Sequence, residues 1–206
     1  EEIEKLSVYQ PRTKVGLKTA VDEWIDDSDS ANSTYGHIST WDTSLITDMS
    51  ELFYDQWTFN YDISEWDTSS VTNMSSMFFY AEDFNQDISN WDVSSVNDMS
   101  FMFEIARSFN QDISNWDVSN VIDMSWMFQG AASFNQEIGS WNVSTAVNMT
   151  DMFSGSVTFT NHFGGATLVT ENFAINNTKY QVQTNTYLQP WAGFAVTEGE
   201  LNLPLK

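Results

Sequence analysis

Apolar side chains recur at one constant interval through the middle of the chain, and positions that correspond in successive copies of this repeat are called a column below. The main apolar columns are Ile38/63/88/113/138, Trp41/66/91/116/141, Met49/74/99/124/149, Phe53/78/103/128/153 and Phe59/84/109/134/159. A fixed period of about 20 to 50 residues is typical of one supersecondary unit stacked on itself. The pattern therefore predicts a repeat solenoid of about five coils, with these columns in its core.

Within one copy of the repeat, the apolar spacing changes halfway. Ile88, Trp91 and Val93 follow the spacing of a leucine-rich repeat, in which alternate side chains of a short strand point inward. From Val96 to Ala106 the apolar residues follow helical spacing. We therefore predict a leucine-rich-repeat-like fold of α/β type, with a short parallel strand near residues 89–94 and a short helix or 3₁₀ segment after it in each coil.

Both ends of a repeat array must cover an apolar layer. Leu17, Val21, Trp24 and Ile25 share one face of a predicted helix, which a polar loop from Asp26 ends. We expect residues 1–34 to form an N-terminal arm and capping helix, 35–160 the solenoid, and 161–206 a degenerate coil with a C-terminal cap of β type. The first residues of the arm either pack locally or add to the open end of a neighbouring molecule.

The repeated phrase is specific enough to indicate a family. Residues 84–103 read FNQDISNWDVSSVNDMSFMF, and residues 109–128 nearly repeat them. This phrase resembles the repeat of the BspA-like leucine-rich-repeat surface proteins over about residues 36–159. The resemblance implies an exposed, non-enzymatic solenoid that is secreted or displayed on a cell surface, and it implies no particular ligand.

Charge narrows the choice of partners. The 206 residues carry 29 acids and 7 bases, a net charge of −22, which repels nucleic acid and anionic membranes. The sequence contains no apolar run of the length of about 20 residues that a transmembrane helix needs. We therefore expect a protein or glycan ligand, or copies of the protein itself, as partners, and no nucleic acid or transmembrane segment.

One column of acids is the predicted binding surface. Its members are Asp42, Asp67, Asp92, Asp117 and Asn142. At the spacing of about 4.8 Å between neighbouring strands, like charges repel by about 0.9 kcal/mol even in water. Either hydrogen bonds within each copy offset this repulsion, or a bound cation or a basic partner does. We expect no metal site and no cofactor, with calcium kept open as an alternative.

Two tryptophans fall outside the tryptophan column. Trp57 and Trp126 are candidate contacts for a ligand, and extra packing is the alternative. Asn32 and Asn176 lie in sequons outside the repeats and are candidate glycosylation sites.

No catalytic motif is present, so we expect no enzyme and no catalytic residues. The predicted function is a secreted or cell-surface adhesion module that presents the acidic face, and the alternative is a subunit that assembles end to end into extracellular filaments or sheets.

Overall fold

Two helices precede the repeats in the computed structural model, which describes residues 8–136, 138–146, 148–156, 169–175 and 178–184. Helix α1 spans Lys14–Asp26, and the Thr13 hydroxyl caps it by accepting from the Gly16 N–H at 3.1 Å. Leu17, Ala20, Val21 and Trp24 are buried on one face of α1. The predicted capping helix is confirmed, and its buried face packs on the first copy of the repeat, where Trp24 contacts Trp41 edge to face.

A second helix occupies the stretch for which we predicted a polar loop. Helix α2 spans Ser28–Tyr35, and a 3₁₀ turn follows at Ile38–Thr40. The Asp27 carboxylate caps α2 by accepting from the Ser30 N–H at 3.1 Å. Helix α1 ends at Asp26 as predicted, but the loop prediction was wrong because the same cluster of Asp and Ser residues also starts a second helix. Asn32 lies on α2 and is exposed.

The prediction of a strand near residues 89–94 is wrong, because the structure has no strand there. These residues form turns, and between residues 41 and 136 the copies contain neither a strand nor a helix. The helical spacing from Val96 to Ala106 also corresponds to consecutive turns. Single parallel bridges instead join the copies in the column Asp48, Asn73, Asp98, Asp123 and Asn148.

Successive copies are joined by two sets of backbone hydrogen bonds. The smaller set donates back to the preceding copy, and the larger set donates to the next copy. The N–H groups of Met49, Glu51, Phe53 and Asp55 donate to carbonyls of the next copy, the first of them to Asn73, at 2.8 to 3.0 Å. Each of the next three copies repeats these four bonds. The intervening N–H groups close turns, as Tyr54 does by donating to the Glu51 carbonyl at 3.2 Å. Along this segment, N–H groups that donate to the next copy thus alternate with N–H groups that donate within their own copy.

This alternation requires left-handed backbone at two places in each copy. The first column with positive φ contains Glu51, Ser76, Phe101, Trp126 and Asp151, and the second contains Asp55, Tyr80, Ile105, Gly130 and Gly155. Positive φ is unfavourable for a residue with a Cβ atom. The backbone conformation is therefore imposed by the hydrogen bonds between copies and not by the local sequence.

The apolar columns fill the space enclosed by each copy. The side chains of the tryptophan and methionine columns are buried, and corresponding rings of neighbouring copies stack, with centroids 6.2 Å apart for Trp41 and Trp66 and 5.5 Å apart for Phe78 and Phe103. Each indole N–H donates to a backbone carbonyl, as Trp91 does to Ile63 at 3.2 Å. Because these contacts join each copy to the next, we propose that the copies wind as successive coils of a solenoid.

The chain after the repeats contains one β-hairpin. Strands β1 (Val169–Ile175) and β2 (Thr178–Thr184) pair antiparallel, with Val169 opposite Thr184. The hairpin lies in the region where the sequence predicts a cap of β type. The last residues of the predicted solenoid, from 157 on, and most of the predicted C-terminal cap lie outside the described residues, as does Asn176.

We predict that Gly130→Ala destabilises the protein. Gly130 has φ +66°, and an added Cβ would lie 3.2 Å from Cγ1 of Ile105, so strain and contact together should cost about 1 to 2 kcal/mol. Gly16→Ala is the matched control, because Gly16 lies in α1 and alanine is favoured over glycine in a helix by about 0.5 to 1 kcal/mol. Chemical denaturation should move the two midpoints in opposite directions, and an unchanged midpoint for Gly130→Ala would contradict the strain argument.

We also predict that Trp91→Phe lowers the free energy of unfolding by more than the loss of buried ring area alone would. The change leaves the Ile63 carbonyl without the indole donor in a buried site, at a cost of about 1 to 3 kcal/mol. Trp57→Phe is the control, since Trp57 is 65 % exposed. The measurement is the free energy of unfolding of each variant, and equal values for the two would show that the indole bond contributes nothing.

Candidate functional site

The acidic column is held by turns within each copy. The Oδ1 atom of Asp92 accepts from the N–H and the hydroxyl of Ser94 at 3.0 and 2.6 Å. Asp67 makes the same two bonds with Ser69. Of the two explanations for the tolerated charge, hydrogen bonding within each copy is thus confirmed as present. The turn leaves the Oδ2 atoms of Asp67 and Asp92 without a hydrogen bond in the described part of the chain.

The other members of the column make related turns. Asp42 and Asp117 each accept from the N–H two residues on at 3.0 Å, and Asn142 accepts from Ser144 at 3.2 Å. Gln10 in the N-terminal arm also donates to Oδ2 of Asp42 at 2.7 Å. The first carboxylate of the column is thereby covered by the arm, whereas Asp67, Asp92 and Asp117 remain exposed.

Threonine hydroxyls join the first copies of the repeat beside the acidic column. Thr43 is buried and donates to the Asp67 carbonyl at 2.9 Å, and Thr68 donates to the Asp92 carbonyl at the same distance. Val93 and Val118 occupy the same column in later copies. The structure therefore brings the predicted acids together as neighbours in consecutive copies.

Hydrogen bonding within the turns favours the ionised form of the carboxylates. Bonds from Ser44 and Ser94 lower the pKa of Asp42 and of Asp92, respectively. The charge of Asp117 acts in the opposite direction on the pKa of Asp92 but is the smaller effect. Asp92 and Asp117, whose pKa values are lowered, are therefore negative charges that face solvent at neutral pH.

Two more acidic or amide columns use the same turn. Asp62, Asp87 and Asp112 accept from the serine two residues on at 2.9 to 3.0 Å. The bridge column, from Asp48 to Asn148, accepts from Ser or Thr in the same way. The sequence analysis did not identify this column. The signal was present, because Asp/Asn-x-Ser/Thr occurs up to three times in one copy.

The two candidate tryptophans differ in environment. Trp57 is 65 % exposed and makes no ring contact in the described chain. Trp126 is half-buried and stacks on Phe101, with centroids 4.8 Å apart. Trp57 therefore fits the prediction of an exposed contact, and Trp126 combines packing with partial exposure.

Comparison with known proteins places the repeat in a family. Residues 26–121 and, in an overlapping match, residues 90–188 fit the family described as "Mycoplasma protein of unknown function, DUF285". The chain belongs to this family. The two overlapping matches of the DUF285 model span all the copies described above. No curated protein and no solved structure matches the chain.

Two further observations on this DUF285 repeat concern metal ions and membranes. Across the described ranges, no group of three or more carboxylate or imidazole side chains is arranged to hold a metal ion. None of the helices in that part of the chain is long and apolar enough to cross a membrane. What the acidic column offers is a series of exposed, ionised oxygens at a regular step, which suits electrostatic recognition.

We predict that Ser94→Ala raises the pKa of Asp92 toward its usual range, because it removes the hydroxyl donor at 2.6 Å. Since the folded pKa of Asp92 is lowered, the bond stabilises the protein above the unfolded pKa of about 3.9 and its effect is lost as pH falls through the folded pKa. Carboxyl ¹³C NMR titration measures the shift. Ser70→Ala, at an exposed serine, is the control, and an Asp92 titration that does not move would contradict the assignment.

Proposed function

We propose that the protein is a non-enzymatic binding module, secreted or displayed on a cell surface, that presents the acidic column to a protein or glycan. The observation that carries the proposal is the free Oδ2 oxygen of each exposed carboxylate, since the turns engage Oδ1 and leave Oδ2 for a partner. A row of such oxygens favours partners with basic or hydrogen-donating groups. The resemblance to BspA-like surface proteins supports the location outside the cell.

Trp57 supports a glycan as one class of partner. Its indole is exposed and both ring faces are clear of other rings in the described chain, and amphipathic aromatic rings are enriched at binding surfaces. Its column also contains Glu82 and Arg107, which form an ion pair at 3.1 Å. Charged hydrogen-bonding groups thus lie in the copies next to an open ring.

The filament alternative is less favoured by the described residues. Helix α1 covers the N-terminal side of the repeat with four buried apolar side chains, so this side offers no open apolar layer for a second molecule. The net charge of −22 also opposes association between copies of the protein. For these reasons we favour binding to a different molecule.

The test removes the charges of the column and keeps its turns. In the variant Asp67→Asn/Asp92→Asn/Asp117→Asn, each amide oxygen can still accept from its serine, as Asn142 does from Ser144. Attachment of the labelled protein to a printed array of glycans and extracellular proteins should fall by about tenfold or more if the column contributes about 1.4 kcal/mol. Unfolding midpoints should remain close to that of the parent protein.

The matched control loses the same charge elsewhere. Asp26→Asn/Glu65→Gln/Asp83→Asn changes three exposed acids outside the column and should leave attachment within about twofold, since only general electrostatic attraction is reduced. Equal losses in the two triple variants would contradict a specific role for the column. Absence of attachment by the parent protein to every glycan and protein on the array would overturn the proposed function.

A further inference from the structure

A strip of partly exposed aromatic rings occupies columns of the repeat that are separate from the acidic column. We define the aromatic strip as Tyr54, Phe79, Tyr80, Phe101 and Trp126. The centroids of Tyr54 and Phe79 are 4.7 Å apart with parallel rings, and those of Phe101 and Trp126 are 4.8 Å apart. All five rings retain solvent exposure, whereas neighbouring positions such as Leu52 and Phe53 are buried. Tyr80 contacts Phe79 with centroids 4.8 Å apart, so the strip consists of two clusters of rings. Exposed apolar surface of this kind marks interaction sites.

Backbone energetics do not explain these rings. Tyr80, Phe101 and Trp126 have φ of 58°, 60° and 55°, where glycine is the favoured residue and a bulky residue is unfavourable. Gly130 and Gly155 occupy the same column as Tyr80, so the fold accepts glycine there. Because the side chains point away from the buried columns, burial in the core does not offset the strain. The hydrogen bonds between copies impose this backbone conformation whichever residue occupies the column, so the fold does not require aromatic residues at these positions.

An unsatisfied carboxylate lies within the strip. Glu104 follows Phe79 in its column, and the Tyr80 N–H donates to the Glu104 carbonyl at 2.9 Å. The Oε2 atom of Glu104 is shielded from solvent and has no hydrogen-bond partner in the described structure. Burial accordingly raises the pKa of Glu104. The Oε1 atom also makes no hydrogen bond in the described structure and is not shielded, so it is the oxygen that a partner can reach. A carboxylate without a donor is stabilised when a cationic donor binds to it.

Charge decides which partner fits. Glu51 and Asp55 are exposed acids in the two left-handed columns beside the strip. Arg107, the one base between residues 19 and 178, already pairs with Glu82 at 3.1 Å. A second copy of the protein would bring the same net charge of −22 and would be repelled. The partner must therefore supply both apolar and positively charged groups.

The groups that the partner must supply favour a polypeptide over a sugar. Within the pairs Tyr54/Phe79 and Phe101/Trp126, each ring covers one face of the other. The edges and the remaining ring faces suit contact with apolar and aromatic side chains in edge-to-face or offset-stacked geometry. A polypeptide satisfies this surface better than a glycan does.

We propose that the aromatic strip and Glu104 form a docking surface for a basic segment of another protein. An arginine or lysine of the segment pairs with Glu104, and its apolar side chains lie against the ring edges of the strip. This interaction is independent of the proposed role of the acidic column, because it uses residues of other columns.

The probe is a fluorescein-labelled peptide of alternating arginine and tyrosine, followed by fluorescence anisotropy at an ionic strength of about 0.15 M. Two control peptides of equal length alternate lysine with serine, which keeps the charge, or glutamate with tyrosine, which keeps the rings. We expect the arginine–tyrosine peptide to bind at least about tenfold more tightly than either control, since both classes of group contribute.

Variants then locate the site. Glu104→Gln is expected to weaken binding by about tenfold through loss of the charged pair, and Gln129 in the same column shows that the fold accepts glutamine. Asp92→Asn removes the same charge from the acidic column and should change binding by less than about twofold. Phe101→Asn/Trp126→Asn should reduce binding by at least about tenfold, since exposed aromatic anchors dominate such contacts.

Stability separates a binding role from a structural one. Asparagine suits left-handed backbone, so Phe101→Asn/Trp126→Asn should leave the melting temperature unchanged or raised while binding is lost. The proposal is overturned if the lysine–serine peptide binds as well as the arginine–tyrosine peptide, or if Asp92→Asn and Glu104→Gln have equal effects. It is also overturned if binding survives in the double variant, or if no peptide binds at about 1 mM, the limit of weak recognition.

Discussion

The structure depends on one repeated interaction, the hydrogen bond from a backbone N–H to a carbonyl in the next copy of the repeat. In each copy four such donors, beginning at Met49 in the first, point toward the next copy. The corresponding carbonyls, beginning at Asn73, point back toward the previous copy. Peptide groups are thereby aligned along the direction in which the copies succeed one another, and this alignment fixes both the register and the left-handed residues. N–H groups that donate within their own copy alternate with N–H groups that donate to the next copy. Positive φ at two positions in each copy turns the peptide groups so that this alternation is possible.

The register in turn determines which side chains become ladders. Because the offset between hydrogen-bonded copies is constant, every residue meets its counterpart in the next copy, whether it is Trp41 over Trp66 or Phe103 over Phe128. Apolar columns benefit, since stacked rings exclude water along the whole array. In charged columns the same stacking brings like charges together, and they repel. The turn in which an acid accepts from the serine two residues on offsets this repulsion within each copy. It stabilises each carboxylate by a hydrogen bond within its own copy.

The sequence predicts the period, the core columns and helix α1 because these follow from the spacing of apolar residues. It does not predict the backbone between them. Val96, Met99 and Phe103 have the spacing of a helix, yet a series of turns closed by local bonds, such as Met102 to Met99, buries the same positions. Glycine is the usual sign of positive φ, but Glu51, Phe101 and Trp126 carry that conformation without it. Since the bonds that impose it join residues of different copies, no local pattern reveals it.

The same reasoning explains how much of the candidate site could be predicted. Asp67 and Asp92 were found because their column is regular, and their turns because Asp-x-Ser is a local signal. The unsatisfied oxygen of Glu104 could not be found, since Tyr54, Phe79, Glu104 and Gln129 share a column but no residue type. Variation within a column is where a repeat protein departs from what stacking requires. Such positions carry individual recognition, whereas the uniform columns provide a periodic surface on which several weak contacts with an extended partner can act together.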